Sequence, residues 1–146
     1  MAQKIVIDTD IILAHLAQTR GVSLLRKAMN MFFCYTTFFN AMELFSIART
    51  KKEVEAVEQA LQVMKILGVN PKSSKTMAVH LAAARKRGKT TIGTFVGAVC
   101  IAGGLPVLTM HPDRFTHVKG ITILSGSEFS RTTSEKKLFK QKTKIK

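Results

Sequence analysis

Asp8, Asp10, Glu43, His111 and Asp113 are the residues of this chain best placed to do chemistry. Carboxylates are scarce, nine Asp and Glu against 23 Lys and Arg, so their positions carry information. Asp8 ends the apolar run Ile5-Val6-Ile7, Glu43 lies in an apolar helical stretch, and His111 and Asp113 follow a second apolar run that closes at Thr109. Carboxylates gathered at one edge repel one another unless a cation neutralises them. Hard divalent ions such as Mg²⁺ take oxygen ligands, keep several waters and bridge phosphates. A metal-bound water attacking a phosphodiester is the reaction such a cluster supports. Structural roles compete for the same residues. Asp8 or Asp10 can cap the helix that starts near Ile11, and Asp10 as cap with Asp8 as ligand would satisfy both readings. Glu43 can equally be a polar position on a helix face.

To bring these residues together the chain needs parallel strands that end at one edge. The β-branched run before Asp8 reads as a buried parallel strand, whose carboxyl end is where open α/β folds bind ligands. Residues 11–18 and 22–31 read as helices divided near Gly21, and Met31 to Thr36 as an aromatic second strand. Thr37 can cap a helix over residues 38–48 that carries Glu43. Val54, Val57, Leu61, Met64 and Leu67 recur at helical spacing, predicting one amphipathic helix over residues 51–67, ended by Gly68. Pro71 to Ser74 open a helix over residues 76–87, and Thr90 or Thr91 starts a buried one over residues 93–103. Residues 105–109 and 121–124 complete the strands. Strands alternating with helices predict one α/β domain, residues 1–130, with a mostly parallel sheet.

The net charge is +14, which favours a polyanionic partner, nucleic acid above all. Residues 131–146 carry seven of the basic residues against Glu135 and read as a disordered basic tail, either solvated or an arm for nucleic acid. The rest of the chain is basic without it. Cys34 and Cys100 sit in apolar surroundings and read as reduced core thiols. No apolar stretch predicts a membrane span, and the strand beginning at Lys4 leaves no room for a signal peptide, so the expected location is cytoplasmic. Gly88-Lys89-Thr90 lacks the earlier glycine of a phosphate-binding loop, since that position is Ala83. The four histidines lack paired metal-binding spacing, and His15 and His80 read as helix residues.

The ordered set Ile5-Val6-Ile7-Asp8-Thr9-Asp10-Ile11-Ile12, Thr36-Thr37-Phe38-Phe39-Asn40-Ala41-Met42-Glu43-Leu44 and Gly104-Leu105-Pro106-Val107-Leu108-Thr109 with Phe115 resembles PIN-domain proteins, particularly the VapC-type toxin ribonucleases. The resemblance covers roughly residues 4–125. It implies a PIN-like three-layer α/β/α sandwich and a Mg²⁺- or Mn²⁺-dependent endoribonuclease of a toxin–antitoxin system. It also implies RNA as substrate, a homodimer, and a cognate antitoxin as partner. Asp8 matches the first acid of the family and Glu43 the second, and these two would hold the metal. The third acid falls at Gly93, where Thr94 could offer only a hydroxyl, and the fourth polar position is His111, with Asp113 able to substitute if its loop turns inward. The acidic site is thus incomplete, which keeps a second reading open: a catalytically silent PIN module that binds RNA or a protein partner.

Overall fold

β1 (Lys4–Ile7) lies at the centre of the sheet because both of its edges are taken by parallel neighbours. In the computed structural model, which describes residues 2–132, 139–140 and 142–146, it pairs with β2 (Phe33–Thr37) on one side and β4 (Val107–Thr109) on the other. β3 (Lys65–Leu67) continues beyond β2, and β5 (Thr122–Ser125) beyond β4. β6 (Thr143–Lys144) closes the β5 edge in the antiparallel sense, giving the order β3-β2-β1-β4-β5-β6.

Alternation along the strands divides the interior into two layers. Ile5, Ile7, Leu108 and Leu124 face one side with α1 (Thr9–Ala17), α2 (Leu24–Met31), α3 (Phe38–Ile47), α4 (Lys51–Gln62) and α7 (Gly126–Arg131). Val6, Val107 and Ile123 face the other, against Val96 and Cys100 of α6 (Ile92–Gly103), while α5 (Ser74–Lys86) packs outside α6. The expected α/β/α sandwich with a mostly parallel sheet is the architecture found. Among the described residues no helix is long and apolar enough to cross a membrane.

Two elements depart from the sequence reading. The helix expected over residues 51–67 stops at Gln62, with Val63 as its C-cap, and Lys65 to Leu67 become β3. Val57, Leu61 and Met64 stay buried as their spacing requires. The backbone of the final turn instead pairs with β2, from Tyr35↔Lys65 to Thr37↔Leu67, which covers an otherwise open strand edge. The basic segment 131–146, expected as a disordered tail, is docked where it is described. Thr143 pairs with Ile123 and Lys144 with Thr122, the Ile145 amide donates to the Ile121 carbonyl at 2.9 Å, and the Phe139 ring sits 5.9 Å from that of Phe32. Phe139 and Ile145 find partners, which composition alone does not register. Lys136 and Lys137 lie outside the described residues.

Candidate active site

β1 passes into α1 without a loop, and this places Asp8 at the carboxyl edge of the sheet, fully buried. Asp8 is itself the N-cap: its Oδ1 accepts the Thr9 amide at 2.9 Å. The division of labour expected between Asp8 and Asp10 is therefore corrected, because α1 begins at Thr9, two residues earlier than the apolar pattern indicates. Asn40 donates to Asp8 Oδ1 at 3.0 Å, and Thr109 at the end of β4 donates to Oδ2 at 2.8 Å. Burial pushes the Asp8 carboxyl up; Arg114 pulls it down, Asp10 pushes it further up, and the net direction is upward.

Asp10 turns to the end of β4 instead of capping. Its Oδ2 accepts the Met110 amide at 2.9 Å and His111 Nδ1 at 2.7 Å, and lies 3.1 Å from the Thr109 hydroxyl, whose one proton it shares with Asp8. His111 is exposed, and its bond to Asp10 holds its pKa above the ordinary imidazole value. Its position suits an accessory group at the rim.

Glu43 reaches the same edge from α3. The Thr37–Asn40 capping box starts that helix beside the end of β2, and Asn40 and Glu43, three residues apart, share the face that looks toward Asp8. Glu43 Oε1 accepts the Thr9 hydroxyl at 2.5 Å. The structure therefore brings Asp8 and Glu43 to one place, as expected. What lies between them is Arg114. Its Nη2 donates to Glu43 Oε1 at 2.8 Å and its Nη1 to Oε2 at 3.3 Å, a bidentate grip. Its Nε stands 3.2 Å from Asp8 Oδ2, at ion-pair distance without hydrogen-bond alignment.

Asp113 does not join the site. The 3-10 turn Pro112–Arg114 leaves Asp113 exposed and sends the next residue inward. Gly93, in the first turn of α6, is buried against that same turn: a Cβ there would stand 2.6 Å from the Arg114 carbonyl oxygen and 3.1 Å from Arg114 Cγ. Thr94 is engaged elsewhere, donating to the Lys89 carbonyl at 3.0 Å and lying 2.7 Å from His117 Nε2.

These donors do not fit a divalent ion. Among the described residues no three His, Cys, Asp or Glu side chains come together as a metal-binding group, and the Arg114 guanidinium already pairs with both Asp8 and Glu43. Asp8 and Glu43, which the resemblance implies as metal ligands, both face this guanidinium instead of an open site. Asp10 Oδ1 is buried without a partner, but one such oxygen does not supply the oxygen-rich shell that Mg²⁺ or Mn²⁺ takes. Thr9, Asn40, Thr109 and Arg114 were missed in the sequence. A capping-box pattern at Thr37 to Asn40 could have drawn attention to Asn40; a single arginine in so basic a chain carries no signal.

The mostly parallel sheet between its helical layers matches solved structures. The crystal structure of DNA-bound VapBC from Salmonella typhimurium aligns with a TM-score of 0.72 at 16% identity, over 86% of this chain and 99% of that one. The fold is the PIN fold. VapBC2 from Rickettsia felis, bound to a DNA fragment from its promoter, aligns with a TM-score of 0.71 at 11% identity, over 84% of this chain and 98% of that one. VapBC-1 from nontypeable Haemophilus influenzae gives 0.69 at 13%, over 86% and 99%. At these identities the likeness is one of fold. No protein-family model and no curated protein sequence matches the chain.

Proposed function

We propose that the protein is a VapC-type PIN module that binds RNA in the cytoplasm and works with a protein partner of antitoxin type, without hydrolysing RNA through a divalent ion at Asp8 and Glu43. The observation that carries the RNA-binding reading is the basic run Arg85, Lys86, Arg87 and Lys89, which leads into the helix that touches the Arg114 turn. α5 ends in this run, Thr91 then caps α6, and Gly93 of α6 touches the turn that bears Arg114. Arg87 Nη1 also donates to the His117 carbonyl at 3.4 Å. Phosphate oxygens held on such cations release counterions and bind without regard to sequence.

The partner reading rests on the solved VapBC complexes that share the fold and on the surface of α3. Phe38, Met42 and Phe45 stand exposed on it at helical spacing, an apolar stripe suited to a homodimer or to an antitoxin-like chain.

A metal-dependent endoribonuclease is the second reading, favoured by the convergence of Asp8 and Glu43. One experiment separates the two. Fluorescently labelled single-stranded RNA is titrated with the full chain at several salt concentrations, and the same RNA is incubated with Mn²⁺ beside Asp8→Asn. Salt-sensitive binding that weakens in Arg85→Glu/Lys86→Glu, with no cleavage, supports the proposal. Cleavage that disappears in Asp8→Asn establishes the nuclease, and failure to bind RNA overturns both.

A further inference from the structure

We infer that Arg114 is the resident cation of this acidic site: its guanidinium supplies from within the chain the positive charge that the PIN resemblance assigns to a divalent ion, and Gly93 is the residue that admits it. Two observations carry this independently. The first is electrostatic. Asp8 is fully buried and Glu43 largely so, and Arg114 is the cation that pairs with both, at 3.2 Å and 2.8 Å. Two buried carboxylates without a counter-charge would repel and lose hydration together. An Mg²⁺ or Mn²⁺ ion entering between them would have to displace the three guanidinium contacts first.

The second is steric. The position at which the resemblance calls for a third acid is Gly93, and the space that a side chain there would fill belongs to Arg114. A Cβ would meet its backbone carbonyl oxygen at 2.6 Å, closer than real Cβ atoms approach, and its side-chain Cγ at 3.1 Å. The missing acid and the inserted arginine are therefore one arrangement. A carboxylate at residue 93 and this placement of Arg114 exclude each other. The guanidinium also ties the 3-10 turn Pro112–Arg114 to α3, joining two segments through a planar fork that a lysine cannot reproduce.

This inference concerns the acidic centre alone and stands whether or not the basic run binds RNA. The test uses Mn²⁺ as probe, its binding to the full chain followed by the electron paramagnetic resonance signal of the free ion. Wild type, Arg114→Ala and Arg114→Gln are each compared with the same protein carrying Asp8→Asn. Wild type is expected to hold no Mn²⁺ that Asp8→Asn removes. Arg114→Ala is expected to gain one Asp8-dependent ion, bound roughly tenfold or more tighter than by its own Asp8→Asn form. Arg114→Gln, whose amide can still hydrogen-bond both acids, carries the same expectation should the alanine variant not fold. A wild-type protein that binds an Asp8-dependent Mn²⁺ ion as tightly as the variants overturns the inference. So does a folded Arg114→Gln that gains none.

Discussion

The side-chain amide of Asn40 donates to Asp8 Oδ1 and to Thr9 Oγ1, each at 3.0 Å. Its oxygen meanwhile accepts the Thr37 amide at 3.2 Å and the Thr37 hydroxyl at 2.6 Å. One fully buried side chain thus closes the cap of α3 and orients the buried acid at the end of β1. Removing it as Asn40→Ala strips a donor from a buried carboxylate and a bond from the cap, at a cost of about 2–3 kcal/mol. Asn40→Asp keeps the shape but turns an acceptor toward Asp8, so it is expected to cost more than the alanine variant at neutral pH. Urea denaturation measures both, and an Asn40→Asp protein as stable as wild type would contradict the donor role.

Gly93→Ala tests the approach of Arg114 to α6. In an ordinary helix interior this change stabilises by roughly 1 kcal/mol. Here the added methyl meets a backbone carbonyl, so the expected sign reverses, with a loss of about 1–3 kcal/mol seen as a lower Tm. Gly93→Asp should be destabilised as well and should not by itself produce a nuclease. A Gly93→Ala protein that melts higher than wild type would show that the Pro112–Arg114 turn yields freely.

The histidines should titrate in two groups. Burial lowers the pKa of His15, His80 and His117, with Arg26 adding to the effect at His15 and Lys89 and Arg87 at His117, whereas the Asp10 bond raises His111. For the first group the unfolded chain takes up protons first. Their contribution to stability is complete above the unfolded imidazole pKa of about 6.5 and is lost as pH falls through the lower folded values. The sign is opposite for His111: its contribution is present below the unfolded value and is lost as pH rises through the folded one. Imidazole resonances followed by NMR should separate the groups, and Asp10→Asn should move His111 alone downward. A His111 resonance that ignores Asp10→Asn would break the assigned pair.

Neither thiol should react at neutral pH while the chain is folded. Burial pushes the Cys34 thiol up to about 12 and the Cys100 thiol higher still, and the thiolate is the reactive form. Alkylation should therefore track unfolding in denaturant. Fast labelling of Cys100 under native conditions would indicate that α6 opens locally.

Much of the architecture was legible because it rests on local pattern. Ile5, Val6 and Ile7 read as a buried strand, and Asp8 at its end could only be presented at the sheet edge. Thr37, and Thr90 or Thr91, marked helix starts by their own chemistry, whereas Gly104, which closes α6 with a left-handed backbone at φ 64°, is a limit that only the structure shows. The limits of α4 were not legible. Lys65 to Leu67 continue the apolar spacing of Val57 and Leu61, and only the open edge of β2 makes a strand the better partner.

The sequence by itself determined the order of elements, the alternation that divides the core into two layers, and the arrival of Asp8 and Glu43 at a common edge. These follow from periodicities of two and 3.6 and from capping residues acting on near neighbours. Tertiary structure alone decided what faces those acids. Arg114 stands 71 residues from Glu43 along the chain, and its entry depends on the empty Cβ position of Gly93. That relation joins three distant segments through charge and shape, and neither leaves a periodic trace in any one of them.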